Sequence, residues 1–282
     1  MTEILIDPVE QALRAFTTPR RLGASGEDEL ALADASRHII HFQGQQLVLW
    51  SWGKREAVTI LLLHGWESRA SHMTAFVPAL LQAGFRVLAL DAPAHGDSDG
   101  QNTNVVDYGK AVVAVANAGA RHDIGQFSAV IAHSLGSAAA LYAFAHGVQV
   151  TASVHLCGPS SLSRVLRRGA KLAGMDAAHI SALETQMAEE IQAPLQIMDL
   201  EQLQPGMQHR SLIMHDPLDR EMPVEESLAL AAAWPGSHIT LLADVGHRRI
   251  LRAPAVIQSV ADFVGHALPH NLTSIHPFAG AA

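Results

Sequence analysis

One cysteine, Cys157, stands among 282 residues, so no internal disulfide braces this fold. Aromatic residues make up 5% and charged residues 16%, and the formal net charge is −8. No block of lysine and arginine with interleaved aromatics occurs, which excludes nucleic acid as the expected partner. The longest apolar runs, such as Ile60 to Leu63, fall far short of a bilayer span, so no stable membrane association is expected. The opening MTEILIDPVEQALR has neither a basic start nor a continuous apolar stretch, and the expected location is cytoplasmic. Although there are 17 histidines, no His-Glu-x-x-His helix, Cys-x-x-Cys pair or calcium-spaced acidic loop accompanies them. The expectation is therefore no metal and no cofactor. What is abundant is apolar residue, 49% of the chain, enough to build a buried core.

Those apolar residues fall into alternating periods. Ile39 to Phe42 and Leu47 to Trp52, split by Gln43-Gly44, predict a hairpin. Val58 to Leu63, Phe85 to Leu90, Phe127 to Ala132, Val150 to Leu156, Ser211 to Met214 and His238 to Leu242 predict strands. Between and after them, 71–83, 105–118, 137–145, 224–233 and 254–267 read as helices. The alternation implies an α/β fold with a mostly parallel sheet and helices on both faces. Residues 158–208 break the rhythm. Leu162, Val165, Leu166 and Leu172 suggest one helical stripe, and Ile180, Leu183, Met187 and Ile191 a second. This interval is expected to be a helical cap, with 1–157 and 209–282 forming the core. Its Arg164, Arg167, Arg168 and Lys171 read as a solvated face. The tail 269–282 has no period and is expected to fray.

Ala132-His133-Ser134-Leu135-Gly136 lies between a predicted strand and a predicted helix. It is a Gly-x-Ser-x-Gly elbow with alanine in the first place. A serine on so sharp a turn needs small residues two before and two after it, and Ala132 and Gly136 meet that need. Ala138, Ala139 and Ala140 let the following helix approach the sheet, and its N-terminus favours negative charge beside the serine.

With this elbow the chain resembles the α/β-hydrolase superfamily, over about residues 39–268. His64-Gly65-Trp66 matches the family's turn after the third strand, which implies that the backbone N–H groups of Trp66 and Leu135 form an oxyanion hole. Asp91-Ala-Pro-Ala-His95-Gly96-Asp97-Ser98 resembles a family loop in which glycine is usual where Ala94 stands. Asp91 and His95 are expected to be structural. Aligning His215 and Pro223 with the family's His-Gly-x-x-Asp-x-x-x-Pro selects Asp219 as the acid, with Asp216 as the alternative. Gly246-His247 supplies the base.

The resemblance implies a serine hydrolase with the triad Ser134, Asp219 and His247, acting on a small-molecule ester or thioester. A carbon–carbon bond hydrolase with the same triad and a ligand-binding protein without turnover are the alternatives. Residues assigned to the substrate pocket are His64, Trp66, His133 and Arg248; for Arg248 and Arg249 two readings stand, contact with an anionic substrate group and, preferred, pairing with surface acids. A homo-oligomer stays open.

Overall fold

The computed structural model describes residues 7–21, 23–119 and 126–268; the tail 269–282 lies outside them. The hairpin is β1 (Ser36–Phe42) and β2 (Gln45–Trp52), an antiparallel pair. Gln43 and Gly44 both have positive φ, 48° and 78°, the twist a two-residue hairpin turn requires. Six further strands follow among the described residues: β3 (Thr59–Leu63), β4 (Arg86–Leu90), β5 (Phe127–His133), β6 (Ala152–Leu156), β7 (Arg210–His215) and β8 (Ser237–Leu241). They join one sheet in the order β1-β2-β4-β3-β5-β6-β7-β8, and every pairing from β4 to β8 is parallel. β3, β4 and β6 are buried along their whole length, so both faces are apolar and no alternation shows in their sequences.

Among the described residues the helices are α1 (Pro8–Thr17), α2 (Gly26–Leu32), α3 (Val77–Gln82), α4 (Val105–Ala118), α5 (Leu135–Ala145), α6 (Leu162–Leu172), α7 (Ala177–Glu190), α8 (Leu200–Leu203), α9 (Val224–Ala233) and α10 (Pro254–Ala267). One core contains Val112 of α4, Leu141 of α5 and Leu230 of α9. The other contains Leu80 of α3, Val256 and Val260 of α10, and Phe76. α5 is buried on nearly every side, which explains why its sequence is apolar all round rather than amphipathic. A Cβ on Gly109 of α4 would lie 2.4 Å from the Tyr142 ring, so the two helices cross too closely for any larger residue there. Among the described residues no helix is long and apolar enough to cross a membrane.

Three expectations need correction. The helix expected over 71–83 is a 3₁₀ segment, Ala70–Phe76, followed by the short α3. Pro78 lacks an N–H and sits best in a first helical turn, so the α-helix starts afresh at Val77. Leu172 is 76% exposed rather than on the buried stripe of α6. That stripe continues instead through Gly169, whose missing side chain makes room for Phe16, and the buried Ala170. Finally, α1 and α2 precede the first predicted element. Asp7 caps α1 by accepting from the Val9 N–H, and Ser25 with Asp28 forms a reciprocal capping box on α2.

Candidate active site

The chain runs from β3 to β4 on one side and then to β5 on the other. The crevice where strand order reverses therefore lies at the carboxyl ends of β3 and β5. His64-Gly65-Trp66 leaves β3 there, and Ser134 leaves β5.

Ser134 has φ 52° and ψ −121°, a conformation that L-residues resist. Neighbouring backbone holds it: its N–H donates to the Leu156 carbonyl at 2.9 Å, and its carbonyl accepts from the Ser137 N–H at 2.9 Å. A Cβ on Gly136 would lie 2.6 Å from the carbonyl oxygens of Leu63 and His64, which is why glycine follows the serine by two. A Cβ on Gly65 would lie 3.0 Å from Ser134 Cβ, so the Gly65-Trp66 backbone comes up against the serine. Leu135 opens α5. Among the described residues, neither the Trp66 nor the Leu135 N–H has a protein acceptor.

His247 Nε2 lies 3.0 Å from Ser134 Oγ, and His247 Nδ1 lies 2.7 Å from Asp219 Oδ2. The carboxylate fixes the proton on Nδ1 and leaves Nε2 as acceptor for the serine hydroxyl. Asp219 Oδ1 accepts from the backbone N–H groups of Glu221 at 2.8 Å and Met222 at 2.9 Å. Burial opposes charge on Asp219. The bonds from His247, Met222 and Glu221 outweigh it and bring the carboxyl down to about 2. Asp219 is thus ionised at neutral pH.

Asp216 does different work. Its Oδ2 accepts from the Gly246 N–H at 2.6 Å and its Oδ1 from the Leu218 N–H at 2.9 Å, tying the loop after β7 to the loop that carries His247. These bonds, that from Gly246 first, hold the Asp216 carboxyl below the usual carboxylate range. Cys157 comes within reach of Asp219 and His247, their nearest ligand-capable atoms lying within 4.8 Å of one another. Burial pushes its thiol well above the ordinary range, and the thiol donates to Asp219. A protonated thiol beside an already bonded carboxylate–imidazole pair is a hydrogen-bond donor, not a thiolate ligand.

The four pocket residues expected from the sequence separate. His64 is fully buried. Its Nδ1 bonds the Gly65 carbonyl at 2.7 Å and its Nε2 accepts from the Ala92 N–H at 3.0 Å. It lines neither cavity at Ser134 and braces the turn instead. His133 donates from Nε2 to the His247 carbonyl at 2.8 Å, while its Nδ1 is buried without a partner. Burial, then the neighbouring His247, brings it down to about 3, so it is neutral. Trp66 lines both cavities. Arg248 borders one of them and pairs with Glu221 at 3.2 Å. Arg249, expected to pair with an acid, bonds the carbonyls of Asp244 and Val245. Asp91, which burial raises, accepts from Ala70, Trp50 and Asp97. His95 accepts from the Glu67 N–H and bonds the Pro93 carbonyl. Ala94, where the resembling loop has glycine, is held at φ 63°, so the left-handed backbone survives the change of residue.

Among the described residues, Ser134 borders two cavities. One, of about 190 Å³, is apolar and is roofed by Leu162 and Val165 of α6, Met187 of α7, Met198 and Leu203, with Phe16 of α1 at its side. Phe16 lies outside both apolar stripes of residues 158–208; the sequence signals for its helix are the Asp7-Pro8 start and the Leu13 and Phe16 spacing. The other cavity, of about 360 Å³, is bordered by His133, His247 and Arg248.

The chain matches the family model for the alpha/beta hydrolase fold over residues 58–202, more than half its length. No curated protein matches it. Among solved structures it resembles the Pyrococcus furiosus esterase Pf2001, at 20% identity and TM-score 0.69, over 89% of this chain and 100% of that one. It also resembles Est1E from Butyrivibrio proteoclasticus, in a structure with ferulic acid bound, at 16% identity and TM-score 0.65, over 82% and 98%. A membrane phospholipase A, a bacterial virulence factor, matches at 20% identity and TM-score 0.64, over 86% and 88%. At these identities the likeness establishes the fold.

Proposed function

The chain belongs to the α/β-hydrolase family, and from that premise we propose that it cleaves carboxylic esters through an acyl-enzyme on Ser134. The observation that carries this reading is the unbroken hydrogen-bonded line from Ser134 Oγ through His247 to Asp219, at 3.0 Å and 2.7 Å. Ser134 Oγ attacks the ester carbonyl as its proton passes to His247 Nε2. The Trp66 and Leu135 N–H groups hold the oxyanion, and Asp219 steadies the imidazolium. The C–O bond then breaks, and His247 returns the proton to the leaving oxygen. Water, deprotonated by His247, cleaves the acyl-enzyme and releases the acid. A thioester follows the same course with sulfur leaving.

Residues 158–208 act with α1 as the cap that gives the acyl group its pocket. A cavity of about 190 Å³ is little larger than the ~150 Å³ apolar site that takes up benzene. Acyl groups of about four to eight carbons fit such a space. The test is turnover of p-nitrophenyl acetate, butyrate, octanoate and palmitate by the protein and by Ser134→Ala. Highest kcat/KM is expected for butyrate or octanoate, with none above background in the variant. Equal rates in protein and variant would refute the reading.

A further inference from the structure

The two cavities differ in which catalytic groups they expose. Ser134 borders both, but His247 borders only the polar one. In the reaction proposed above, His247 Nε2 must reach the leaving oxygen to return its proton. The leaving group therefore lies in the polar cavity and the acyl group in the apolar one.

The wall of the polar cavity is positively charged in an otherwise acidic chain of formal net charge −8. Residues Arg249–Arg252 form a 3₁₀ turn. In such a turn residues three apart lie one above the other, so Arg249 and Arg252 share a face, and both border this cavity. The two carboxylates in the wall are already engaged: Glu67 by Arg20 and Glu221 by Arg248. Burial lowers the His72 imidazole, which is neutral at pH 7. Arg249 is bonded only to backbone carbonyls. Arg252 is exposed and has no carboxylate partner among the described residues. Two like charges on adjacent turns of one face are unfavourable unless an anion answers them. A cleft of one sign also concentrates ligands of the other.

We infer that the polar cavity is a leaving-group subsite for an anion, and that the substrate is an ester whose alcohol portion bears a carboxylate or phosphate met by Arg252 with Arg249. This rests on the ester-hydrolase reading and narrows it. The bond broken is still the ester C–O bond; the anion stays on the departing alcohol, which leaves with the proton from His247.

The test compares 4-nitrophenyl butyrate with its 3-carboxy analogue, which carries the same acyl group and an anionic leaving group. The quantity read is the ratio of their kcat/KM values in the unmodified protein, Arg252→Gln, Arg252→Glu and Arg252→Lys. Taking the ratio within one protein cancels any effect of the substitution on folding. Arg252→Gln is expected to lower the ratio about fivefold to tenfold, the size of a partly solvated charge-assisted hydrogen bond. Arg252→Glu should lower it further, and Arg252→Lys should restore most of it. Added salt should shrink the ratio of the unmodified protein and not that of Arg252→Gln. Turnover of both esters with ratios within about twofold across all variants, no more than a loose surface ion pair gives, would overturn this inference alone. Turnover of neither ester would overturn the hydrolase reading and this inference with it.

Discussion

A serine at φ 52° costs on the order of 1–3 kcal/mol, which the surrounding backbone must offset. Ser134→Gly should therefore raise stability by about 1 kcal/mol in urea unfolding while abolishing turnover. Ser134→Ala should leave the strain in place and lower kcat by about 10⁶-fold, and His247→Ala by a similar factor. Such a split separates strain held for chemistry from strain that is incidental. The two aspartates separate in the same way. Asp219→Asn should cost about 10⁴-fold in kcat, because an amide stabilises neither the required tautomer nor the imidazolium. Asp216→Asn disturbs only the tie to Gly246 and should cost no more than about a hundredfold, the effect of a slightly misplaced group. A larger loss from Asp216→Asn than from Asp219→Asn, measured by single-turnover kinetics, would reverse their assignment. At Gly136 an added Cβ meets two backbone carbonyl oxygens at 2.6 Å, so Gly136→Ala should destabilise by about 1–3 kcal/mol.

At the scale of elements, the apolar cavity depends on helices from distant parts of the chain. α1 packs against α7, and Phe16 of α1 fills the space left open by Gly169 of α6. Leu162→Trp fills the cavity wall and should move the p-nitrophenyl ester optimum toward acetate, with little change in the rate of the shortest substrate. An unmoved chain-length profile would show that the acyl group lies elsewhere. The strands and larger helices from Thr59 onward were legible because their periods are clean: a continuous apolar run where both faces are covered, small residues where a helix lies close. α1 is hard to read from the sequence because its apolar stripe is short, although Asp7-Pro8 marks its start. The 3₁₀ form of Ala70–Phe76 was not legible, since periodicity over seven residues does not separate three residues per turn from 3.6. The pairing of Arg249 and Arg252 on one face was hidden for the same reason.

Across the molecule, the candidate site is legible as an order of motifs, while its convergence depends on the sheet. Ser134, Asp219 and His247 leave the ends of β5, β7 and β8, which the parallel order brings side by side. What the sequence could not reveal is the burial of individual histidines. His64 resembles a pocket residue in the motif but is enclosed by Ala92 and Tyr108. His155 is buried between Ser137 and Ser153, with His209 bonded to the same Ser153 hydroxyl. Burial brings His155 and His133 to about 3 and His209 to about 4. In the unfolded chain each imidazole binds a proton near pH ~6.5. Between those values the unfolded state holds more protons, so stability is complete above pH ~6.5 and falls as pH drops toward about 4. Each such histidine adds up to about 1.4 kcal/mol per pH unit to that slope. Urea unfolding between pH 7.5 and 4.5 should show the decline, and a flat profile would contradict the neutral burial of all three.

One hydroxyl among the chain's serines, that of Ser134, is held ready for activation by an imidazole more than a hundred residues away in sequence. Treating the protein with a fluorophosphonate and mapping the adduct by mass spectrometry tests it most directly. A single stoichiometric adduct on Ser134 is expected, formed far more slowly in His247→Ala. Folded protein that takes up no label, or takes it up on another serine at undiminished rate in Ser134→Ala, would contradict it.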